Sequence, residues 1–259
     1  MIPFNVKHAG RALRGILHLP GPQREPVPAV VMCHGFGGNR TEFGNTFVRL
    51  AERLARHGVA AYRFDFAACG ESDGDFADIT VTDQVAQVSA VLDELARHHV
   101  IDPARLCLLG MSLGGLTASL AAAKSEVKAL ALWAPAATAI AATDPADTAY
   151  WPEILDKGYW DFFGLPVYRK FFEDGSSIDP WSDAAAYAGP VLFAFGDGDE
   201  VVPREVVDRY RAIYGDRLEE HRFPGVGHVF ENVPAREWLL DLTEDFLLQN
   251  ARPPKPGRM

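Results

Sequence analysis

The stretch Arg105-Leu106-Cys107-Leu108-Leu109-Gly110-Met111-Ser112-Leu113-Gly114-Gly115 constrains this chain more than any other. An apolar run of strand length ends at Gly110, and Ala-rich helical sequence begins after Leu113 and runs to Ala123. Ser112 therefore stands on a strand-to-helix corner. A corner that sharp strains its central residue and needs residues without side chains on either side, which Gly110 and Gly114 supply. The hydroxyl is pushed out above the sheet, at the start of a helix whose first N–H groups are free. This is the nucleophile-elbow pattern G-x-S-x-G, and Ser112 is the expected nucleophile. The pattern recurs at Gly70-Glu71-Ser72-Asp73-Gly74. There the serine lies well past its strand and no helix follows, so Ser72 is expected to be a loop residue.

Around the elbow, strand-like and helix-like segments alternate. Residues 11–20 alternate in polarity and predict an early strand. Ala29 to Met32 is a short apolar run of the kind buried on both faces of a parallel sheet, and it leads into His34-Gly35-Phe36-Gly37-Gly38. Phe43, Phe47, Leu50 and Leu54 fall on one helical face ending near His57-Gly58. Val59 to Phe64 is the next strand, and Val81, Val85, Val88, Leu92 and Leu95 mark a second amphipathic helix. Val127 to Trp133 follows the elbow helix as another strand. Further on, Val191 to Phe195 is a strand, Arg204 to Tyr214 a helix, Glu219 to Phe223 a strand and Ala235 to Gln249 a closing helix. The last residues, from Arg252 to Pro256, are expected to form a loose tail. Strands alternating with helices predict an α/β chain: a doubly wound, mostly parallel sheet with right-handed crossovers.

The alternation breaks at Ala134-Pro135, and about fifty residues pass before it resumes, which in a compact domain usually marks a functional lid. The expected organisation is a single domain over residues 1–259 with a lid insertion at 136–186. The insertion is rich in rings. Trp160 and Phe163 are three apart, so a helix would put them on one face. Asp161 and Tyr168 are candidates to bond a phenolic hydroxyl.

Composition excludes several partners. The net charge of −10 argues against nucleic acid and anionic membrane surfaces. No apolar run approaches the roughly 20 residues that span a bilayer. The N-terminal residues lack the basic flank and apolar core of a secretion signal, so a cytoplasmic setting is expected. The three cysteines show no metal spacing. Cys33 and Cys107 lie in apolar strands, and Cys69 is expected nearest solvent. No metal or cofactor is expected.

A serine hydroxyl needs a base, and the base needs a third group to hold its tautomer. The elbow architecture orders these partners along the chain as Ser, acid, His. Of eight histidines, only His221 and His228 follow Ser112. His221 lies within a strand. His228 lies in Pro224-Gly225-Val226-Gly227-His228, a loop after a strand, where side chains reach a site over the sheet. Asp197, Asp199 and Glu200 compete for the acid. Asp199 is favoured and Asp197 suits local bonds to backbone N–H groups, but spacing alone does not decide between them. The oxyanion needs two N–H donors, and Leu113 and Phe36 are the natural pair.

The ordered set His34-Gly35-Phe36, Gly110 to Gly114, Asp199 before Val201-Val202-Pro203, and Gly227-His228 resembles the α/β-hydrolase superfamily over nearly the whole chain. The His-Gly-Phe-Gly-Gly loop, the Gly70 to Gly74 loop with Phe76 behind it, and the long insertion resemble the bacterial feruloyl (cinnamoyl) esterases and related carboxylesterases. Leu113 stands where those esterases often have Gln, and Ala68-Cys69 replaces a Gly-containing turn. The resemblance implies an α/β-hydrolase fold, a triad of Ser112, Asp199 and His228, oxyanion donors Phe36 and Leu113, and a lid that holds an aromatic acyl group. It points to a serine ester hydrolase working through an acyl-enzyme on small-molecule hydroxycinnamoyl or other small aromatic esters, possible as a homodimer. A short-chain carboxylesterase or thioesterase is the alternative, and a catalytically dead binding module the remote one.

Overall fold

In a computed structural model, which describes residues 1–22, 24–139 and 144–251, the chain opens with four short strands. They are β1 (Ile2–Pro3), β2 (Val6–His8), β3 (Arg11–Leu13) and β4 (Gly15–His18). The stretch predicted as one strand over 11–20 is therefore two. β3 folds back on β2 as a separate hairpin, whereas β4 joins the main sheet. Between them, Arg14 N is drawn off to Ser72 Oγ at 2.8 Å.

The next elements follow the apolar periodicity: β5 (Val27–Cys33), α1 (Thr46–Arg56), β6 (Ala60–Phe64), α2 (Val81–Ala96), β7 (Ile101–Met111), α3 (Leu113–Ala122) and β8 (Ala129–Trp133). The exception is Phe43, which falls outside α1, on an exposed turn where Gly44 and Asn45 at positive φ break the helix. An insertion then carries α4 (Trp151–Lys157), β9 (Tyr159–Phe162), β10 (Leu165–Tyr168), α5 (Arg169–Ser176) and α6 (Pro180–Ala185). The alternation resumes with β11 (Val191–Gly196), α7 (Arg204–Tyr214), β12 (Leu218–Phe223) and α8 (Val233–Ala251).

The main sheet has eight strands in the order β1-β4-β6-β5-β7-β8-β11-β12. β4 runs against both neighbours, and every pairing from β6 to β12 is parallel. Every residue of β5, β6, β8 and β11 is buried, because helices cover both faces, as an all-parallel core requires. α1 packs on α8, and α2 on α3. This is the doubly wound, mostly parallel α/β architecture read from the sequence. Chain order reverses direction across β5 and β7, and the carboxyl ends of the parallel strands open there onto a crevice, where such sheets bind ligands.

The insertion differs from expectation. Residues 159–168 form an antiparallel hairpin, not a helix. Aromatic and β-branched residues favour strands, and Gly158 and Gly164, at φ +86° each, delimit β9 and its turn. Trp160 and Phe163 thus do not share a helical face. Residues 140–143 of the insertion and the tail from Arg252 lie outside the described residues. Among the described residues, no helix is long and apolar enough to cross a membrane.

Candidate active site

The elbow is as tight as its glycines imply. Ser112 sits at φ +55°, ψ −121°, a conformation costing a non-glycine residue about 1–3 kcal/mol. A Cβ on Gly110 would lie 2.2 Å from Gly114 O, and one on Gly114 would lie 2.2 Å from Cys33 O. Neither contact is tolerable, so glycine is required at both positions. The strained serine is held by its own backbone: Ser112 N donates to Trp133 O at 2.9 Å, and Gly115 N donates to Ser112 O at 2.9 Å.

The loops after β11 and β12 interlock above this corner. A Cβ on Gly196 would lie 2.0 Å from Val226 O, and Gly198 N donates to Val226 O at 3.0 Å. Their contact brings Asp199 Oδ2 to 2.8 Å from His228 Nδ1 and His228 Nε2 to 2.9 Å from Ser112 Oγ. An ionised carboxylate only accepts, so Nδ1 carries the imidazole proton and Nε2 is left to accept from the serine hydroxyl. Asp199 Oδ1 accepts from Val201 N at 2.7 Å and Val202 N at 2.9 Å. Burial pushes the Asp199 carboxyl up, but the hydrogen bonds from His228, Val202 and Val201, with the charge of His228, outweigh it and hold its pKa below the ordinary value.

The competing residues are engaged elsewhere. Asp197 accepts from Arg222 Nε at 2.8 Å and from Gly225 N, fastening the two loops from outside. Glu200 is exposed. His221 Nε2 lies 2.8 Å from Glu219 Oε1 on the surface. Ser72 Oγ accepts from Arg14 N at 2.8 Å and donates to Asp65 O at 2.6 Å, so it braces its loop.

The His34–Gly38 loop rides against the elbow: a Cβ on Gly35 would lie 3.5 Å from Ser112 Cβ. His34 Nδ1 donates to Gly35 O at 2.8 Å, and His34 Nε2 accepts from Phe66 N at 3.1 Å. Both bonds need the neutral ring. Burial lowers its pKa, against the Gly35 carbonyl and the charges of Glu42 and Asp65. Gly38 N also donates to Gly35 O, at 3.0 Å. In a planar trans peptide the N–H points opposite the C=O, so holding Gly35 O aims Phe36 N–H away from His34 and Gly38. Leu113 N–H, in the first turn of α3, has no intrahelical acceptor. Phe36 and Leu113 both border the cleft.

That cleft, about 900 Å³, lies over Ser112 and His228. The Phe36 ring is 4.9 Å from Phe162 and 5.0 Å from Phe171. Trp160 continues the row, 5.2 Å from Phe162 and stacked on Tyr150 at 3.9 Å. Trp160 thus borders the cleft. Phe163 stands at its mouth, on the hairpin turn and 94% exposed. Asp161 and Tyr168 do not border it. Asp161 Oδ1 accepts from Gly164 N at 2.7 Å, closing the turn, and Tyr168 pairs with Tyr159 across the hairpin. The strand alternation that a helical reading overlooked puts them on the other face. The polar rim, which includes Asp147, Thr148, Glu205 and Arg209, escaped sequence reasoning. The one available signal was that Glu205 and Arg209 are four apart on the helix after the acid loop.

Among the described residues, no cluster of three or more His, Cys, Asp or Glu side chains has the arrangement of a metal site. Cys33 and Cys107 are buried, and Cys69 is the least buried of the three at 5% exposure. Burial, with the nearby Asp65 charge, pushes the Cys69 thiol up to about 12, which leaves it protonated and unreactive.

Residues 30–239 match the alpha/beta hydrolase family. Among solved structures, Est1E from Butyrivibrio proteoclasticus with ferulic acid bound is similar at TM-score 0.84 and 26% identity, covering 95% of this chain and 98% of that one. Mitochondrial palmitoyl-protein thioesterase ABHD10 of Rattus norvegicus is 30% identical over 195 residues, 68% of this chain and 60% of that protein. An uncharacterized protein of Mycobacterium tuberculosis is 26% identical over 224 residues, 86% of this chain and 71% of that protein.

Proposed function

The chain belongs to the alpha/beta hydrolase family, and from that premise we propose that it is a serine carboxylic ester hydrolase acting on hydroxycinnamoyl or other small aromatic esters. One observation carries the reaction type: the unbroken relay from Ser112 Oγ through His228 to Asp199, with contacts of 2.9 and 2.8 Å. His228 Nε2 takes the hydroxyl proton as Ser112 Oγ attacks the ester carbonyl carbon. Phe36 N–H and Leu113 N–H receive the negative charge that forms on the carbonyl oxygen. Asp199 stabilises the imidazolium, which then passes its proton to the departing alcohol. Water, activated by the same imidazole, releases the acid from the acyl-enzyme.

The row of rings from Phe36 to Tyr150 supports an aromatic acyl group, since offset or edge-on ring pairs gain roughly 0.5–1.5 kcal/mol beyond buried area. The ferulic acid bound to the similar Est1E structure points the same way. With Asp161 and Tyr168 turned away from the cleft, a phenolic hydroxyl would meet the rim or water. The similarity to a palmitoyl-protein thioesterase favours thioester cleavage as the second reading.

A substrate panel tests the choice: methyl ferulate, methyl p-coumarate, p-nitrophenyl acetate and butyrate, and one acyl-CoA. Hydroxycinnamoyl esters should be turned over with kcat/KM at least comparable to the short aliphatic esters. Trp160→Ala should lower kcat/KM on the aromatic esters by up to about tenfold and spare acetate. Good turnover of acetate and butyrate with none of either methyl hydroxycinnamate would reject the aromatic assignment, and preference for the acyl-CoA would favour the thioesterase reading.

A further inference from the structure

Glu42 occupies backbone space that only glycine enters freely, at φ +57°, ψ 167°. Such strain persists only where surrounding contacts enforce it. Here they do. Glu42 N donates to Asn39 O at 3.0 Å, Asn45 N to Glu42 O at 3.1 Å, and Phe43 N to Glu42 Oε1 at 2.9 Å. Arg236 on α8 braces the same turn. Its guanidinium carbon lies 5.2 Å from the Phe43 ring centre, and its Nη1 fills the place of the missing Gly44 Cβ, 2.2 Å from where that atom would be.

The strained turn delivers Glu42 Oε2 to 2.9 Å from Gly35 N. Gly35 is then clamped on both sides, its N–H by Glu42 and its C=O by His34 and Gly38. With both flanking peptide planes fixed, the next N–H, that of Phe36, has one direction available. We propose that Glu42 is a positioning residue for ester hydrolysis, presetting Phe36 N–H for the anion that forms on the substrate. Resting on the serine hydrolase reading above, this assigns a role to a side chain that makes no bond to the triad. A carboxylate so near a developing negative charge is itself unfavourable. The positive charge of Arg236 opposes this effect: it borders the same small pocket as Glu42, and its Nε and Nη2 are buried without an acceptor among the described residues.

The test compares Glu42→Ala, Glu42→Gly and Glu42→Gln in the full chain, by kcat, KM, affinity for a boronic acid that mimics the tetrahedral intermediate, and thermal melting. Removing one oxyanion donor outright costs about 10²–10³ in kcat. Misaiming it should cost about 10- to 100-fold in both Glu42→Ala and Glu42→Gly, with KM within about threefold and boronate affinity falling in step with kcat. Glu42→Gln keeps one acceptor oxygen for Gly35 N while its NH2 faces Phe43 N–H, so it should recover part of kcat, to between that of Glu42→Ala and wild type. Glu42→Gly relieves the strain and should melt no lower than wild type, which separates misaiming from unfolding. Unchanged kcat in Glu42→Ala and Glu42→Gly, or a Glu42→Gln variant as impaired as Glu42→Ala, overturns the inference. Labelling of wild-type Ser112 by a fluorophosphonate distinguishes the two readings. Labelling with unaltered Glu42→Ala kinetics sinks this inference alone; no labelling of the folded protein sinks both.

Discussion

Asp197 and Asp199 stand two residues apart and face opposite ways, Asp199 to His228 at 2.8 Å and Asp197 to Arg222 and Gly225. Asp199→Asn should lower kcat by about 10⁴-fold, because the imidazole loses the partner that sets its tautomer and stabilises its charge. Asp197→Asn should cost far less kcat and instead loosen the loop. Steady-state kinetics on both folded variants decides; the reverse ranking would mean that the acid has been misassigned.

Ser112→Ala should lose at least about 10³-fold in kcat, since among the described residues no other hydroxyl meets His228. Ser112→Gly should be equally inactive yet melt higher than wild type, because glycine adopts φ +55° without the strain a side chain pays. Ser72→Ala should keep turnover and lose about 1 kcal/mol of stability from its bonds to Arg14 and Asp65. Calorimetry beside an ester assay reads all three. Activity in Ser112→Gly, or inactivity in a folded Ser72→Ala, would contradict the assignment.

Phe163 and Gly164 are the two turn residues between the paired Phe162 and Leu165, at φ +50° and +86°. Hairpins with positive φ at both positions prefer Asn-Gly, and a bulky residue there is strained. Phe163 is also 94% exposed, so little packing is lost on replacement. Phe163→Asn should raise the melting temperature by about 1–3 °C. A lower melting point would show that the ring packs on something that outweighs its turn strain.

His18 is 3% exposed, and its Nε2 accepts from Arg63 Nε at 3.0 Å. Burial, then the charge of Arg63, lowers its pKa from 6.5 to about 4. The unfolded chain therefore binds a proton that the folded one refuses between those values. The stability from this site is complete above 6.5 and fades as pH falls toward 4, by roughly 2–3 kcal/mol. His18→Gln, which keeps an acceptor for Arg63 and cannot titrate, should lose that much less between pH 7 and 4.5 in urea melts. Parallel pH profiles for the two proteins would disprove it.

The sequence by itself determined the elements whose cause is local or periodic. The strand before Gly110 and the helix after Gly114 mark that Gly-x-Ser-x-Gly as a tight corner, a context the Gly70 to Gly74 repeat lacks, so Ser112 is legible in the sequence. Apolar period and helix stops placed β5, β6, β8 and α7 within a residue or two. β7 instead begins at Ile101, five residues before the apolar run that marks it, because Asp102, Pro103 and Arg105 interrupt its apolar pattern. Chain order alone reduced eight histidines to two candidates. Tertiary structure decided the rest. Asp197 and Asp199 share one loop and one chemistry, and only the close approach of Gly196 to Val226 turns Asp199 toward His228. Over residues 159–168 the three-residue spacing of Trp160 and Phe163 suggested a helical face, and pairing of β9 with β10 fixed instead the alternation that puts Trp160 at the cleft and Asp161 away from it. The clamp on Gly35 lies within the one connection between β5 and α1, but the turn that carries Glu42 is strained and braced by Arg236 of α8, so no local pattern announced Glu42. Long-range contacts chose among conformations that local sequence left nearly equal in energy.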